Sequence, residues 1–266
     1  MKSLEAIGEW PCTAAAAVIR PDGSVARHGE TSQRFVLASV TKLFTSAAVL
    51  LAVEEGSVSL DDTMDGRGAT LADLLGHAAG LAPDGTELEG PGRRRIYSNG
   101  GYERAAAHVE VGTEMSFGEY LREGLFQPLG MADTDLTGSP AYGAHSTVDD
   151  LVSFLLGLPT LLAPPTIAAM TSPYLSELVG VLPGYGRQTP NTWGLGPEIR
   201  STKSPHWTGA SNSPETWGHF GQAGTFVWSD PKAETSLVVL TDKPFGDWVL
   251  TRWPTLSDSV LNEVAG

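Results

Sequence analysis

The stretch from Val40 to Glu55 limits the architecture more than any other part of the sequence. It reads as a helix stopped by Gly56, and it is apolar on almost every face from Leu43 to Val53. A surface helix of a globular protein keeps one polar face. This one has none, so other elements must surround it. Lys42 is the only charged residue between Phe35 and Val53. An ammonium at that point lies in the first helical turn, where the macrodipole and the apolar surroundings both disfavour a cation. The position is costly unless the amine is used.

Strand signals lie at the two ends of the chain and helical signals between them. Thr13 to Ile19, the turn Pro21-Asp22-Gly23 and Ser24 to His28 predict a β-hairpin. Leu71 to His77, Tyr102 to Val111, Phe117 to Leu125 and Val148 to Leu156 predict helices, with Ser116 and Glu119 as a capping box for the third. After Pro183 strands are expected at Trp193 to Ile199, Trp217 to Phe220, Thr225 to Trp228 and Ser236 to Thr241, with Asp230-Pro231 turning between the last two. A helix is expected within Trp248 to Val264, after Pro254. The expected fold is therefore α/β in the α+β sense. Residues 1–56 and 183–266 supply one antiparallel sheet flanked by helices, and 57–182 form an inserted, mainly helical subdomain.

Composition narrows the function. The chain has 266 residues, with 31 acidic against 17 basic side chains and a formal net charge of -14. Such a molecule repels phosphate backbones and anionic lipid surfaces, so neither nucleic acid nor membrane is an expected partner. No segment approaches the roughly 20 apolar residues of a membrane span. The one cysteine, Cys12, has no internal partner, and Met1 to Pro11 mixes Glu5 and Glu9 into a short polar stretch that does not read as an export signal. The expected location is the cytoplasm. The six histidines lack metal-binding spacing, and no metal or cofactor is expected. Oligomeric state is not legible.

Ser39-Val40-Thr41-Lys42 places a hydroxyl and an amine three residues apart, on one helix face at about 5–6 Å between Cβ atoms. A serine hydroxyl becomes nucleophilic when a neighbouring base takes its proton, and a lysine is such a base once burial depresses its pKa. Ser229-Asp230-Pro231-Lys232 repeats the spacing, but its proline and its place at a hairpin tip forbid the helical register. Two further elements are single occurrences, Tyr97-Ser98-Asn99 and His219-Phe220-Gly221.

In this order the three motifs resemble those of the serine β-lactamase and penicillin-binding-protein superfamily, in the branch that holds class C β-lactamases, D-alanyl-D-alanine carboxypeptidases and β-lactamase-like carboxylesterases. The resemblance extends over Leu74 to Leu81, Leu125 to Met131, Ser146 to Leu151, Trp193 to Gly196 and Gly218 to Thr225. It implies a β-lactamase/transpeptidase-like fold with Ser39 as the acylated nucleophile, Lys42 as its general base and Tyr97 as a proton relay tuned by the Lys42 ammonium. It further implies Asn99 bonded to Lys42 and to the acyl side chain, backbone N–H groups of Ser39 and Gln222 as the oxyanion hole, His219 at the substrate, and Gly221 letting the strand approach it.

One departure redirects the expected substrate. The β-lactamases and carboxypeptidases usually carry Lys-Thr-Gly at the third motif, and here the cation and hydroxyl are replaced by His219 and Phe220. A neutral imidazole grips a carboxylate less well, and strand alternation points Phe220 away from the cleft. The expected activity is hydrolysis of an ester or amide of a small metabolite. The alternatives are a transacylase using an amine or alcohol acceptor, a β-lactamase or D-Ala-D-Ala carboxypeptidase, and a non-catalytic sensor. Arg93-Arg94-Arg95 reads as a solvated loop before a cationic rim, His77 as scaffold near the cleft, and the five tryptophans from Trp193 to Trp248 as core before acyl-pocket lining.

Overall fold

A computed structural model describes residues 1–64 and 66–266. Among the described residues the strands are β1 (Ala14–Ile19), β2 (Val25–His28), β3 (Phe35–Val36), β4 (Asp135–Leu136), β5 (Ala144–Ser146), β6 (Gly180–Leu182), β7 (Gly186–Gln188), β8 (Glu198–Ile199), β9 (Trp217–Gly221), β10 (Thr225–Asp230) and β11 (Thr235–Thr241). The α-helices are α1 (Thr41–Glu54), α2 (Leu71–Leu75), α3 (Asn99–Thr113), α4 (Phe117–Leu121), α5 (Val148–Leu161), α6 (Pro164–Thr171) and α7 (Val249–Ala265). The main sheet is antiparallel, in the order β2-β1-β11-β10-β9-β8. The N-terminal hairpin thus joins the C-terminal strands through β1 and β11, with Ala14 opposite Thr241.

Both faces of this sheet are covered, which is why its strands read as apolar runs rather than as an alternating pattern. Ala15, Ala17, Val227, Val238 and Leu240 face α1 and the helices beyond it. Ala16, Val18, Phe226, Trp228, Leu237 and Val239 face α7. Along α1 every residue from Thr41 to Leu50 is buried, as its missing polar face demands. The chain arrives there through a 3₁₀ turn, Ala38–Val40, and leaves past Gly56, which takes φ 75°.

Several expectations change in detail. Lys2–Glu9 is not merely a polar stretch but a 3₁₀ segment that buries Leu4 and Ile7 under α7. The helix α6, unforeseen, starts with Pro164 in its first turn, where the missing N–H has no cost. Pro254 lies inside α7 instead of preceding it. Of the strand expected at Trp193 to Ile199 only β8 forms, because Trp193 pairs back with Glu198 and the segment folds on itself. Ser116 caps α4 by accepting from the Glu119 N–H, while its hydroxyl donates to the Glu119 carboxylate at 2.7 Å.

Among the described residues no helix is long and apolar enough to cross a membrane. No group of acidic, histidine or cysteine side chains there is placed to hold a metal ion.

Candidate active site

Ser39 stands in the 3₁₀ turn that feeds α1, and the residue before it, Ala38, has φ 47°. A side chain held in that left-handed region costs about 1–3 kcal/mol, so the surroundings must impose it. They do so from β9 and β10. The Thr225 hydroxyl donates to the Leu37 carbonyl at 2.8 Å, and a Cβ on Gly221 would lie 2.3 Å from that same carbonyl oxygen. Gly221 was expected to let the strand approach substrate. What its missing side chain admits is the turn that carries Ser39.

Lys42, one helical turn on, is fully buried, and its Nζ has three neighbours: Asn99 Oδ1 at 2.7 Å, the Ala141 carbonyl at 2.8 Å and Ser39 Oγ at 3.4 Å. Burial holds its pKa well below the usual lysine range, against a smaller opposing pull from Glu103. A neutral amine has two N–H donors and one lone pair. The two shorter contacts go to a side-chain amide oxygen and a backbone carbonyl, which only accept. In the neutral form these two contacts would take both donors and leave the lone pair for Ser39 Oγ, to which the charged form donates.

Asn99 is the first residue of α3, and the hydroxyl of Ser98 is the cap, accepting from the Gly101 N–H. The amide oxygen of Asn99 is thereby free for Lys42. Tyr97 precedes this cap, with the Lys42 Nζ 4.7 Å from its ring centroid and its hydroxyl hydrogen-bonded to Ser39. Burial pushes the phenol above its usual range, only partly opposed by the Ser39 contact. A Lys42 ammonium was expected to draw this pKa down. Burial dominates instead, and the phenol is raised rather than lowered.

His219 and Phe220 alternate across β9 as a strand requires. Phe220 points to the α7 side, stacked on Phe245 with centroids 5.3 Å apart. The His219 ring lies 6.0 Å from Tyr97 and 5.5 Å from Trp193. Its Nδ1 is 2.7 Å from the Phe220 carbonyl, which can only accept, so Nδ1 carries the proton and Nε2 presents a lone pair. Burial lowers its pKa to about 3. At neutral pH it is an uncharged acceptor.

Ser39, Tyr97, His219 and Gln222 line one small cavity of about 40 Å³, together with Trp193, Leu182, Pro183, Glu198 and also Phe220, which was expected to point away from the cleft. Glu198 was missed. It is buried and bonded to Lys203, to the His206 Nε2 at 2.9 Å and to the Trp207 indole N–H at 2.8 Å. Burial alone would raise its pKa, but His206 and Lys203 more than reverse this and hold it ionised. Nothing in the sequence marks it, since its three partners lie in a loop without motif or period.

The remaining candidates divide. His77 accepts from the Ser98 N–H at 3.2 Å and packs on Tyr97 with centroids 4.5 Å apart, so it supports the tyrosine from behind. Arg95 is neither rim nor solvated loop. It is buried, and its guanidinium donates to the carbonyls of Gly76, Tyr174, Leu175 and Asn191. Of the tryptophans only Trp193 lines the cavity. Lys232 of the second Ser-x-x-Lys match is exposed and pairs with Glu215, while Ser229 is in β10.

An antiparallel sheet closed by both termini, with a buried helix behind a serine-bearing turn, defines the β-lactamase-like serine hydrolase superfamily. The chain belongs to it: the Beta-lactamase family model matches residues 12–260. A solved structure described as a β-lactamase from Mycobacterium bovis is 50% identical, with a TM-score of 0.96 over 98% of this chain and 99% of that one. D-amino acid amidase from Ochrobactrum anthropi, at 19% identity, shares the fold with a TM-score of 0.78 over 94% of this chain and 93% of its own. Penicillin-binding protein 4* of Bacillus subtilis is 28% identical over 140 residues, 40% of this chain, and the match spans 31% of that longer protein.

Proposed function

We propose that the protein is a serine hydrolase acting through a Ser39 acyl-enzyme on an ester, or an amide, of a small metabolite. The observation that carries this reading is the geometry at Lys42, whose buried Nζ is held by Asn99 Oδ1 and the Ala141 carbonyl and lies 3.4 Å from Ser39 Oγ. As Ser39 Oγ bonds to the carbonyl carbon, its proton passes to Lys42 Nζ. The oxygen of the tetrahedral intermediate is held by the Ser39 and Gln222 N–H groups. The C–O or C–N bond then breaks, and Tyr97 passes a proton to the leaving group, regaining one from Lys42. Water, deprotonated along the same path, attacks the acyl-enzyme, releasing the acid and restoring Ser39.

His219 steers the substrate. An uncharged acceptor offers a carboxylate no positive charge, so an ester or amide without a carboxylate beside the scissile bond is favoured over a β-lactam. Hydrolysis of a β-lactam is the second reading, supported by the description of the M. bovis structure.

Incubation with a fluorophosphonate, a short-chain nitrophenyl ester and nitrocefin, followed by intact mass and product release, tests both. A single adduct that maps to Ser39 and disappears in Ser39→Ala, with ester turnover and no nitrocefin hydrolysis, is the expected result. An adduct that survives Ser39→Ala removes the mechanism, and fast nitrocefin turnover replaces the ester reading with the second one. Turnover that requires an added amine makes the enzyme a transacylase, and a stable adduct without product makes it a sensor.

A further inference from the structure

Two spaces of very different size meet at Tyr97. The cavity at Ser39 has about 40 Å³, room for a few heavy atoms when a single water takes about 10–15 Å³ on this measure. Beyond Tyr97 and Pro183, which line both, runs an open groove of about 440 Å³. Its floor is fixed, because Arg95 bridges Gly180 of β6 and the Arg95 N–H donates to Val179 at 2.8 Å. Its walls are apolar: Leu88 and Val181, 56% and 59% exposed, face it together with Pro83 and Ile96. Exposed aliphatic side chains gathered in one concave surface mark a binding site more than chance placement.

Charge at the rim specifies the occupant further. Arg94 and Arg187 both border the groove. Arg94 is already paired with Glu89 at 2.7 Å, whereas Arg187 is exposed and has no ion pair among the described residues. In a chain with 31 acidic and 17 basic side chains, a cation left open beside an apolar groove is a recognition element for an anion.

We propose that the groove binds the leaving group of the substrate and that the preferred substrate is a short-acyl ester or amide of an apolar alcohol or amine ending in an anionic group, held by Arg187. This rests on the Ser39 acyl-enzyme reading. The acyl group stays on Ser39 and must fit the small cavity. The group that departs takes its proton at Tyr97 and lies on the groove side of it. The bond made is Ser39 Oγ to the acyl carbon, and the bond broken is from that carbon to the oxygen or nitrogen of the group in the groove.

The test is a set of aryl esters. Acetates are made of phenols whose para alkyl chain ends in a carboxylate, a carboxamide or an ammonium, and a second series carries acyl chains of two to eight carbons on a plain phenol. The expected result is a carboxylate-over-ammonium preference in kcat/KM of about three- to fivefold, the size an exposed ion pair supports, together with a steep fall in rate beyond short acyl chains. Arg187→Glu reverses the preference, and since each value is a ratio within one variant, altered folding yield does not affect it. No preference, a preference unchanged in Arg187→Glu, or octanoyl esters turned over as fast as acetyl ones overturns the proposal. The underlying reading is scored separately by the fluorophosphonate adduct on Ser39. If the adduct forms and the preference is absent, only the groove assignment falls. If no adduct forms, calorimetric binding of the carboxylate-terminated acetate to the wild type and to Arg187→Glu still decides the groove, equal or absent binding counting against it.

Discussion

Lys42 is caught between two requirements that only burial reconciles. A lysine in water is protonated and no base; in α1, burial lowers its pKa well below the usual range while Asn99 and the Ala141 carbonyl offer it two acceptors. Replacing Lys42 by Met, which fills similar space without a basic nitrogen, is expected to lower the acylation rate by about 10²- to 10⁴-fold and to flatten its rise with pH, measured by single-turnover kinetics with a nitrophenyl ester. His219 gives the residue scale its acid limit. Its folded-state pKa of about 3 lies below the unfolded value, so the unfolded chain binds the proton first. Stability from this group is complete above pH 6.5 and falls as pH drops toward 3, by about 2 kcal/mol at pH 5. His219→Gln is expected to recover that difference between urea unfolding at pH 7 and at pH 5, and an unchanged pH dependence would contradict it. Ser39 and Lys42 are legible in the sequence because a helix brings residues three apart onto one face, whereas Tyr97 and Asn99 stand out only through the resemblance of their motif. The sequence does not show Glu198, whose neighbours Lys203 and His206 come from an aperiodic loop, nor the protonation of Tyr97, which depends on how deeply other segments cover it.

At the scale of elements, the 3₁₀ turn before α1 and the end of β9 behave as one unit. Gly221 lets the Leu37 carbonyl approach, Thr225 bonds it, and Ala38 is held at positive φ as a result. Gly221→Ala forces a Cβ against a backbone oxygen that has no free rotor to yield. The expected outcome is a moderate loss of stability, about 1–3 kcal/mol, and a larger fall in kcat than in substrate affinity, since the displaced atom is Ser39 Oγ. Comparing unfolding midpoints with burst-phase acylation separates the two. Glu198 ties β8 to the loop after it. Glu198→Gln leaves Lys203 buried without its carboxylate and is expected to cost about 3–5 kcal/mol in denaturant unfolding. The strands of the central sheet are legible as apolar runs, but the shortness of β8 is not, because Trp193 and Glu198 pair within one segment where the pattern allows a continuous strand.

For the whole molecule, the sheet separates two cores that differ in what they support. One holds α1; the other, filled by Trp207, Phe226, Trp228 and Trp253 beneath α7, also contains Leu182, Trp193 and Phe220 of the cavity at Ser39. Removing residues 249–266 deletes Val249, Trp253, Leu256 and Val260 and uncovers the strand residues facing them, among them Val18, Phe226, Trp228, Leu237 and Val239. At about 1.5–3 kcal/mol for each large side chain returned to water, the loss is comparable to the entire stability of an ordinary domain. The truncated chain is expected to lack near-ultraviolet circular dichroism and any fluorophosphonate labelling, although no residue of α7 lines the cavity at Ser39. The antiparallel sheet was legible from strands at both ends of the chain. The second core was not, because the 3₁₀ segment Lys2–Glu9 has too few apolar residues to stand out before α7 is seen to cover it.

The pairing of Ala14 with Thr241 also sets an order in time. A ribosome releases Ser39 and Lys42 well before the strands that hold the Ser39 turn in place, β9 and β10, and the strand that joins the hairpin to them, β11. Contacts so distant in sequence close slowly. The growing polypeptide therefore carries Ser39 and Lys42 without the strands that hold their turn until β9, β10 and β11 have followed. Stalled chains ending before Thr235 are expected to show no fluorophosphonate labelling, whereas full-length chains held on the ribosome by a flexible C-terminal extension label at Ser39.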